Sequence, residues 1–292
     1  MKRLRIALIA CALIAAVAWV AYRPKPAPRP DVVAGAFHIA TRHFAITSTA
    51  DAAKTRLVAE RVESLRDAWV GFFGDTLGRD RDRAGLQLIL YRDRAEFEGH
   101  NDSEPWAEAF YRPPACRAYF QSGAANPYHW MLHEVVHQLN DQVAHLRLRR
   151  WVNEGLASYF GSSAIEDGKL RVGEVDPNTY PIWWVTKMEL SGNLKADIAS
   201  GRIIPLRKLI TEPGPLTAAD DVNLHYIEYW SLTHFLIHHD HGKYAAGFRR
   251  VIAEGGSLEA FEARIGPLEA IEPAWYAYLR GQVDALSPTL IR

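Results

Sequence analysis

Residues 133–137 read His133-Glu134-Val135-Val136-His137, and residues 151–160 read Trp-Val-Asn-Glu-Gly-Leu-Ala-Ser-Tyr-Phe, with Glu154 in fourth place. Two histidines four apart share one face of an α-helix, so both imidazoles can reach the same point. Glu134, one residue on from His133, is turned about 100° around the axis and stands beside that point. Leu132, Val135, Val136 and Leu139 cover the neighbouring faces, which predicts a buried helix with its histidines pointing inward. Buried imidazoles need partners. A zinc ion provides one, and a hydrolytic zinc site keeps one position for water. Glu134 is then placed to take the water's proton and deliver it to a leaving amine. The alternative is a pair of hydrogen-bonded core histidines with no ion.

Sixteen residues separate His137 from Glu154. About two turns of helix, a short loop and one return turn fill that interval, so Glu154 is the expected third ligand. Gly155 and Ala157 are small and predict a close approach of the two helices. The metzincin pattern needs Gly at 140 and His at 143, and the chain has Asn140 and Val143, which excludes that class.

The two segments together resemble the gluzincin metallopeptidases, and most of all the peptidase-MA-like bacterial group of mostly unassigned substrate. The resemblance spans roughly residues 85–240. It implies a thermolysin-like catalytic core, one Zn2+ held by His133, His137 and Glu154, and cleavage of peptide bonds in a peptide or protein substrate. Thermolysin-type enzymes carry an acid four residues beyond the third ligand to orient a metal histidine; here that position is Ser158, a weaker acceptor. The segment Tyr226–Leu236 resembles the helix that packs behind the site in this group. That likeness makes Tyr226 the expected oxyanion donor, with Tyr229, three residues on, in reserve.

The surrounding sequence sets the architecture. Residues 37–49 alternate as a strand or hairpin does, 51–73 carry apolar residues at helical period, and 86–91 form a short apolar run suited to an inner strand. A further strand is expected at 118–121. Pro127 suits the first turn of a helix over 127–144, a second helix is expected from about Asn153, and Glu166-Asp-Gly-Lys169 reads as a hairpin turn. Helices are expected over 181–199, 223–239, 242–254, 257–264 and 270–284. The expected fold is therefore α+β and zincin-like: a small N-terminal sheet with helices (35–165), then a mainly helical part (166–292), with the active-site cleft between them.

Lys2, Arg3 and Arg5 precede an apolar run that ends near Ala21, and Arg23-Pro-Lys-Pro-Ala-Pro-Arg-Pro30 follows. Residues 1–22 thus read as an uncleaved membrane anchor, a cleaved signal or a lipoprotein leader ending at Cys11, and 23–34 as a Pro-rich linker. Each option puts the body outside the cytoplasm: in the cell envelope at the membrane, or, if the segment is cleaved, free in the periplasm or secreted. The 34 basic and 34 acidic residues cancel, so charge gives no reason to expect nucleic acid as a partner. Cys116 is the only thiol of the body, which excludes an internal disulfide there and a Cys-based zinc site. Oligomeric state is not legible. His238, His239 and His241 read as a solvated helix end, and Arg147, Arg149 and Arg150 as a basic turn. Beside the peptidase stands a second reading, a non-catalytic zinc-containing scaffold module of the envelope.

Overall fold

The computed structural model describes residues 34–74, 77–101, 103, 107–214, 216–217 and 221–287. The expected leader and nearly all of the Pro-rich linker lie outside them. Phe37–Arg292 forms one compact unit of mixed α+β architecture, with the sheet first and the helices dominating the second half.

The sheet has five strands: β1 (Phe37–Ala40), β2 (Phe44–Ser48), β3 (Leu86–Tyr91), β4 (Ala109–Arg112) and β5 (Ala115–Tyr119). Their order is β1-β2-β3-β5-β4. β1 and β2 form the expected hairpin, while β2, β3 and β5 run parallel. A parallel neighbour needs a crossover, and α1 (Ala52–Phe73) supplies the one between β2 and β3. Its start is fixed by the Asp51 side chain, which accepts from the Lys54 N–H, an N-cap that satisfies an otherwise orphaned donor. Its inner face carries Val58, Val62, Leu65 and Trp69, all wholly buried. The expected strand at 118–121 lies three residues earlier, because Ala115–Tyr119 pairs on both sides. β4, which sequence reading missed, is the antiparallel edge beside it; it is too short for a periodic signal. Between β3 and β4 lies α2 (Arg94–His100), also unforeseen.

α3 (His129–Gln142) and α4 (Arg150–Gly161) carry the motifs. α3 begins two residues after Pro127, whose carbonyl instead accepts from the Gln121 N–H and closes the preceding loop. Nearly all of α3 is buried. It is fastened to the sheet by the Gln138 amide, which donates to the Gln87 and Pro114 carbonyls at 3.1 and 2.9 Å. α4 starts three residues ahead of Asn153 and has no side-chain cap. A tertiary contact does that work: Arg149 N–H donates to the Gly255 carbonyl and the Trp151 indole to that of Gly256, both at 2.8 Å.

A two-stranded hairpin follows, β6 (Ser163–Glu166) and β7 (Lys169–Val175), with the expected turn between them. The expected helix over 181–199 is in fact two short ones, α5 (Ile182–Val185) and α6 (Leu194–Ala199). Ser191-Gly192-Asn193 interrupts it, and the Asn193 side chain caps α6 by accepting from the Ala196 N–H. The rest is helical: α7 (Leu206–Thr211), α8 (Val222–Gly242), α9 (Ala245–Ala253), α10 (Leu258–Arg264) and α11 (Leu268–Leu286). The regular turns of α8 end at His239, as the sequence indicated. Among the described residues no helix is long and apolar enough to cross a membrane.

Candidate metal centre

α4 packs against α3 on one side and α8 on the other, and glycine makes both approaches possible. A Cβ on Gly161 would stand 3.2 Å from the His133 Cα, and one on Gly155 would stand 2.9 Å from the Tyr229 carbonyl and collide with Thr233. The sequence reading gave Gly155 to the α3–α4 contact. It belongs to the α4–α8 contact instead, and Gly161 is the residue that admits α3.

These contacts bring the three expected ligands together. His133 Nε2 and His137 Nε2 are 3.2 Å apart, and Glu154 Oε2 lies 3.3 Å from the first and 3.4 Å from the second. The spacing fits a zinc ion: tetrahedral donors each about 2.0–2.1 Å from a common centre lie about 3.3–3.4 Å from one another. Among the described residues no other His, Cys, Asp or Glu group converges in this way. Burial alone would push the His137 imidazole down, but the Glu154 carboxylate beside it outweighs that effect and holds it up at about 9. Burial alone would raise the Glu154 carboxyl, and the two histidines reverse the sign, holding it well below the ordinary carboxylate range. His137 and Glu154 thus favour a charged pair in the absence of a cation, and a cation would displace the imidazole proton.

Glu134 is buried beside the triangle. Burial pushes its carboxyl above the ordinary value, against the pull of His137 and His133. Its backbone carbonyl accepts from the Cys116 thiol at 3.2 Å, which ties this turn of α3 to β5. Cys116 is wholly buried and far from being a thiolate, since burial raises its pKa well above the ordinary value.

The ligand support differs from expectation. Ser158 Oγ is buried and has no hydrogen-bond partner, so it orients neither imidazole. A single methylene and hydroxyl are too short to serve in place of a carboxylate there. A different chain of side chains runs toward His137: the Trp69 indole donates to Asn140 Oδ1 at 3.1 Å, and the Asn140 amide donates to Asn153 Oδ1 at 3.3 Å. Asn153 in turn stands beside the His137 ring and favours its charged form. Asn153 sits immediately before Glu154, so the sequence did contain the signal: a polar side chain next to a ligand on a helix otherwise rich in apolar residues.

Tyr226 and Tyr229 separate clearly. The Tyr226 ring centroid is 6.1 Å from that of His133. Burial pushes its hydroxyl well above the ordinary phenol value, and Glu154, Tyr180 and Glu134 add to the shift, so it remains a donor at any physiological pH. Tyr229 is buried in the core near Arg150 and lines neither of the cavities below. Tyr180, missed in the sequence, packs at a tilt against Tyr226 with centroids 5.4 Å apart. His234 is held in the core between the Tyr278 hydroxyl (2.7 Å) and the Gly173 carbonyl (3.1 Å). His238 closes on the Tyr159 hydroxyl at 2.7 Å, and His239 and His241 lie in the non-helical end of α8.

Two cavities meet at this centre. The larger, about 890 Å³, lies over His133, Glu134, His137, Glu154 and Tyr226, and its rim includes β4, Asp141, Arg147, Arg149 and Glu254. Arg147 reaches Asp141 at 3.3 Å, so the basic turn faces the cleft rather than open solvent alone. The smaller, about 410 Å³, shares His133, Glu134 and Tyr226 with it and is walled by aromatic rings. A mixed α+β body with two histidines and a glutamate converging at the floor of a cleft, a group that could hold a metal ion, is what fold and site together define.

Residues 129–254, from the first turn of α3 to just beyond α9, match the family model described as "Protein of unknown function (DUF1570)". A comparison with curated proteins finds no match.

Proposed function

We propose that this chain is a zinc-dependent peptidase of gluzincin type. The observation that carries the reading is the triangle of His133, His137 and Glu154 donor atoms, spaced at 3.2–3.4 Å at the floor of a cleft that also holds Glu134 and Tyr226. Three donors leave a fourth position for a reacting group, and two imidazoles with one carboxylate is the donor set of hydrolytic zinc. A zinc ion bound there would polarise an amide carbonyl and acidify water. Glu134 holds no ligand position. Its carboxylate accepts the proton of the attacking water and passes it to the nitrogen of the departing amine, so the proton ends on the new amino group. The Tyr226 hydroxyl, kept protonated by burial, donates to the oxygen that gains charge. β4, an antiparallel edge on the rim of the cleft, offers backbone groups to an extended chain. The basic start, apolar run and Pro-rich stretch of residues 1–30 support a site on the outer side of a membrane, and a topology reporter fused after residue 292 tests that reading.

The test of function is hydrolysis of a mixed peptide panel by the full chain. Cleavage should require zinc and cease with a chelator. Glu134→Gln should keep stoichiometric zinc while kcat falls roughly 10²–10⁴-fold. Zinc-loaded protein whose turnover is the same with Gln at 134 would remove Glu134 from the chemistry.

A further inference from the structure

The smaller cavity opens beside the same His133, Glu134 and Tyr226 as the larger one. Its walls carry Trp130 from α3, Tyr180, and Trp183 and Trp184 from α5. These rings brace one another. Trp130 lies 5.5 Å from Tyr180 and 6.1 Å from Trp183, the latter edge to face, and His129 backs both indoles at 4.4 and 5.3 Å. Trp130, Tyr180, Trp183 and Trp184 are nevertheless all left part-exposed, although burying such surface is the main gain of folding. An apolar concavity of this kind, next to reactive groups, is the usual form of a recognition pocket.

Of the polar groups at its edge, Glu108 and the Asn223 side-chain oxygen are already engaged, and the Trp130 indole N–H is a single donor without a partner. Glu108 accepts from the Tyr119 hydroxyl at 2.5 Å and pairs with Arg94 at 3.0 Å. Asn223 Oδ1 accepts from the Tyr180 hydroxyl at 3.2 Å. A sugar ring would bring several hydroxyls that need partners, and leaving them unpaired costs more than ring stacking returns. A flat apolar ring needs none. At about 410 Å³ the cavity stands near the low end of the roughly 300–1,000 Å³ typical of ligand pockets, a size suited to one bulky side chain.

We propose that this pocket selects an aromatic side chain, Phe, Tyr or Trp, on the substrate residue next to the bond that is cut. The ligand's identity as a peptide residue rests on the peptidase reading; the pocket's preference for an aromatic ring does not. Offset or edge-to-face contact with Trp183 and Tyr180 supplies the selectivity over an aliphatic chain of similar area.

The experiment measures binding to chelator-treated full-length protein by calorimetry, with N-acetyl-phenylalaninamide, N-acetyl-leucinamide, N-acetyl-alaninamide and N-acetylglucosamine as probes. The phenylalanine probe should bind at least tenfold tighter than the alanine and sugar probes, and measurably tighter than leucine. Trp183→Leu should abolish that preference and Trp183→Phe should retain most of it. Trp184→Ala, on the same short helix, repeats the test where Trp183→Leu compromises folding. Equal binding of the phenylalanine and alanine probes overturns the proposal, as does tighter binding of the sugar. Because no metal or turnover is involved, the aromatic preference can survive when no peptide is hydrolysed. Hydrolysis of the panel with no bias for aromatic residues would sink the pocket proposal alone.

Discussion

At the ion end of the cleft each donor sits within a long helix, whereas the rings of the aromatic end come mainly from a loop, a four-residue helix and the start of α8. The ion end is tightly packed. α3 is buried along most of its length, α4 is pressed to both neighbours at glycines, and an amide chain from Trp69 backs the histidines. The aromatic end is braced by ring contacts and by the Tyr180–Asn223 hydrogen bond, and keeps surface open. The contrast teaches that reacting groups and recognising groups place different demands on a scaffold. Donors that must meet within a few tenths of an ångström need rigid elements, while a pocket for one ring tolerates looser walls.

Tyr226 stands where the two ends join, and its variant separates them most strongly. Tyr226→Phe keeps the ring and removes the donor, so kcat should fall roughly 10²–10³-fold, equivalent to ~2.7–4 kcal/mol, with KM little changed. Steady-state kinetics on a cleaved peptide checks this. An unchanged kcat would make Tyr226 a wall of the aromatic pocket and nothing more.

The next effect probes the packing of the ion end. Gly155→Ala introduces a Cβ 2.9 Å from the Tyr229 carbonyl, backbone that cannot swing aside. Stability should drop by about 1–3 kcal/mol, read as a lower denaturant midpoint, and zinc affinity should fall with it because Glu154 is the preceding residue. A midpoint and affinity equal to wild type would show that α4 can shift freely and that rigidity is not what holds the donors.

A separate effect, one that appears only as pH changes, lies behind both ends, in the core of α8. Glu228 is wholly buried, with one oxygen accepting from the Ile204 N–H at 2.9 Å and the other unpartnered. Burial raises its carboxyl well above the ordinary value of 4.5. The folded state therefore binds the proton more tightly than the unfolded one. Its contribution to stability is complete below the ordinary value and is lost as pH rises toward the folded one, at up to ~1.4 kcal/mol per pH unit. Glu228→Gln removes the titration, so the variant should gain on wild type as pH climbs from 5 to 8 in denaturant titrations. Parallel profiles would contradict this.

The ion end was legible in the sequence because spacing on a helix is geometry: His133, His137 and the interval to Glu154 encode convergence before any fold is known. The hairpin at 37–48, α1, β3 and the helices α8 to α11 were legible for the same reason, a period repeated over enough residues, whereas α7, six residues long, was not. What escaped depended on tertiary contact. β4 is four residues long, α4 begins where the 255–256 turn holds it, and the 181–199 segment breaks at a Ser-Gly-Asn cap that its apolar residues obscured. Trp130, Tyr180, Trp183 and Trp184 gave no periodic signal at all, and only the fold gathers them. Gly155 was read as important and assigned to the wrong neighbour, since smallness says that something comes close without saying what.

The most direct measurement is zinc titration of metal-free full-length protein, with X-ray absorption on the loaded sample. The account predicts one equivalent bound by two imidazole nitrogens and a carboxylate oxygen at about 2.0–2.1 Å, with both stoichiometry and spectrum lost in Glu154→Ala. Failure to take up a stoichiometric ion, or a coordination shell unchanged in Glu154→Ala, would contradict it.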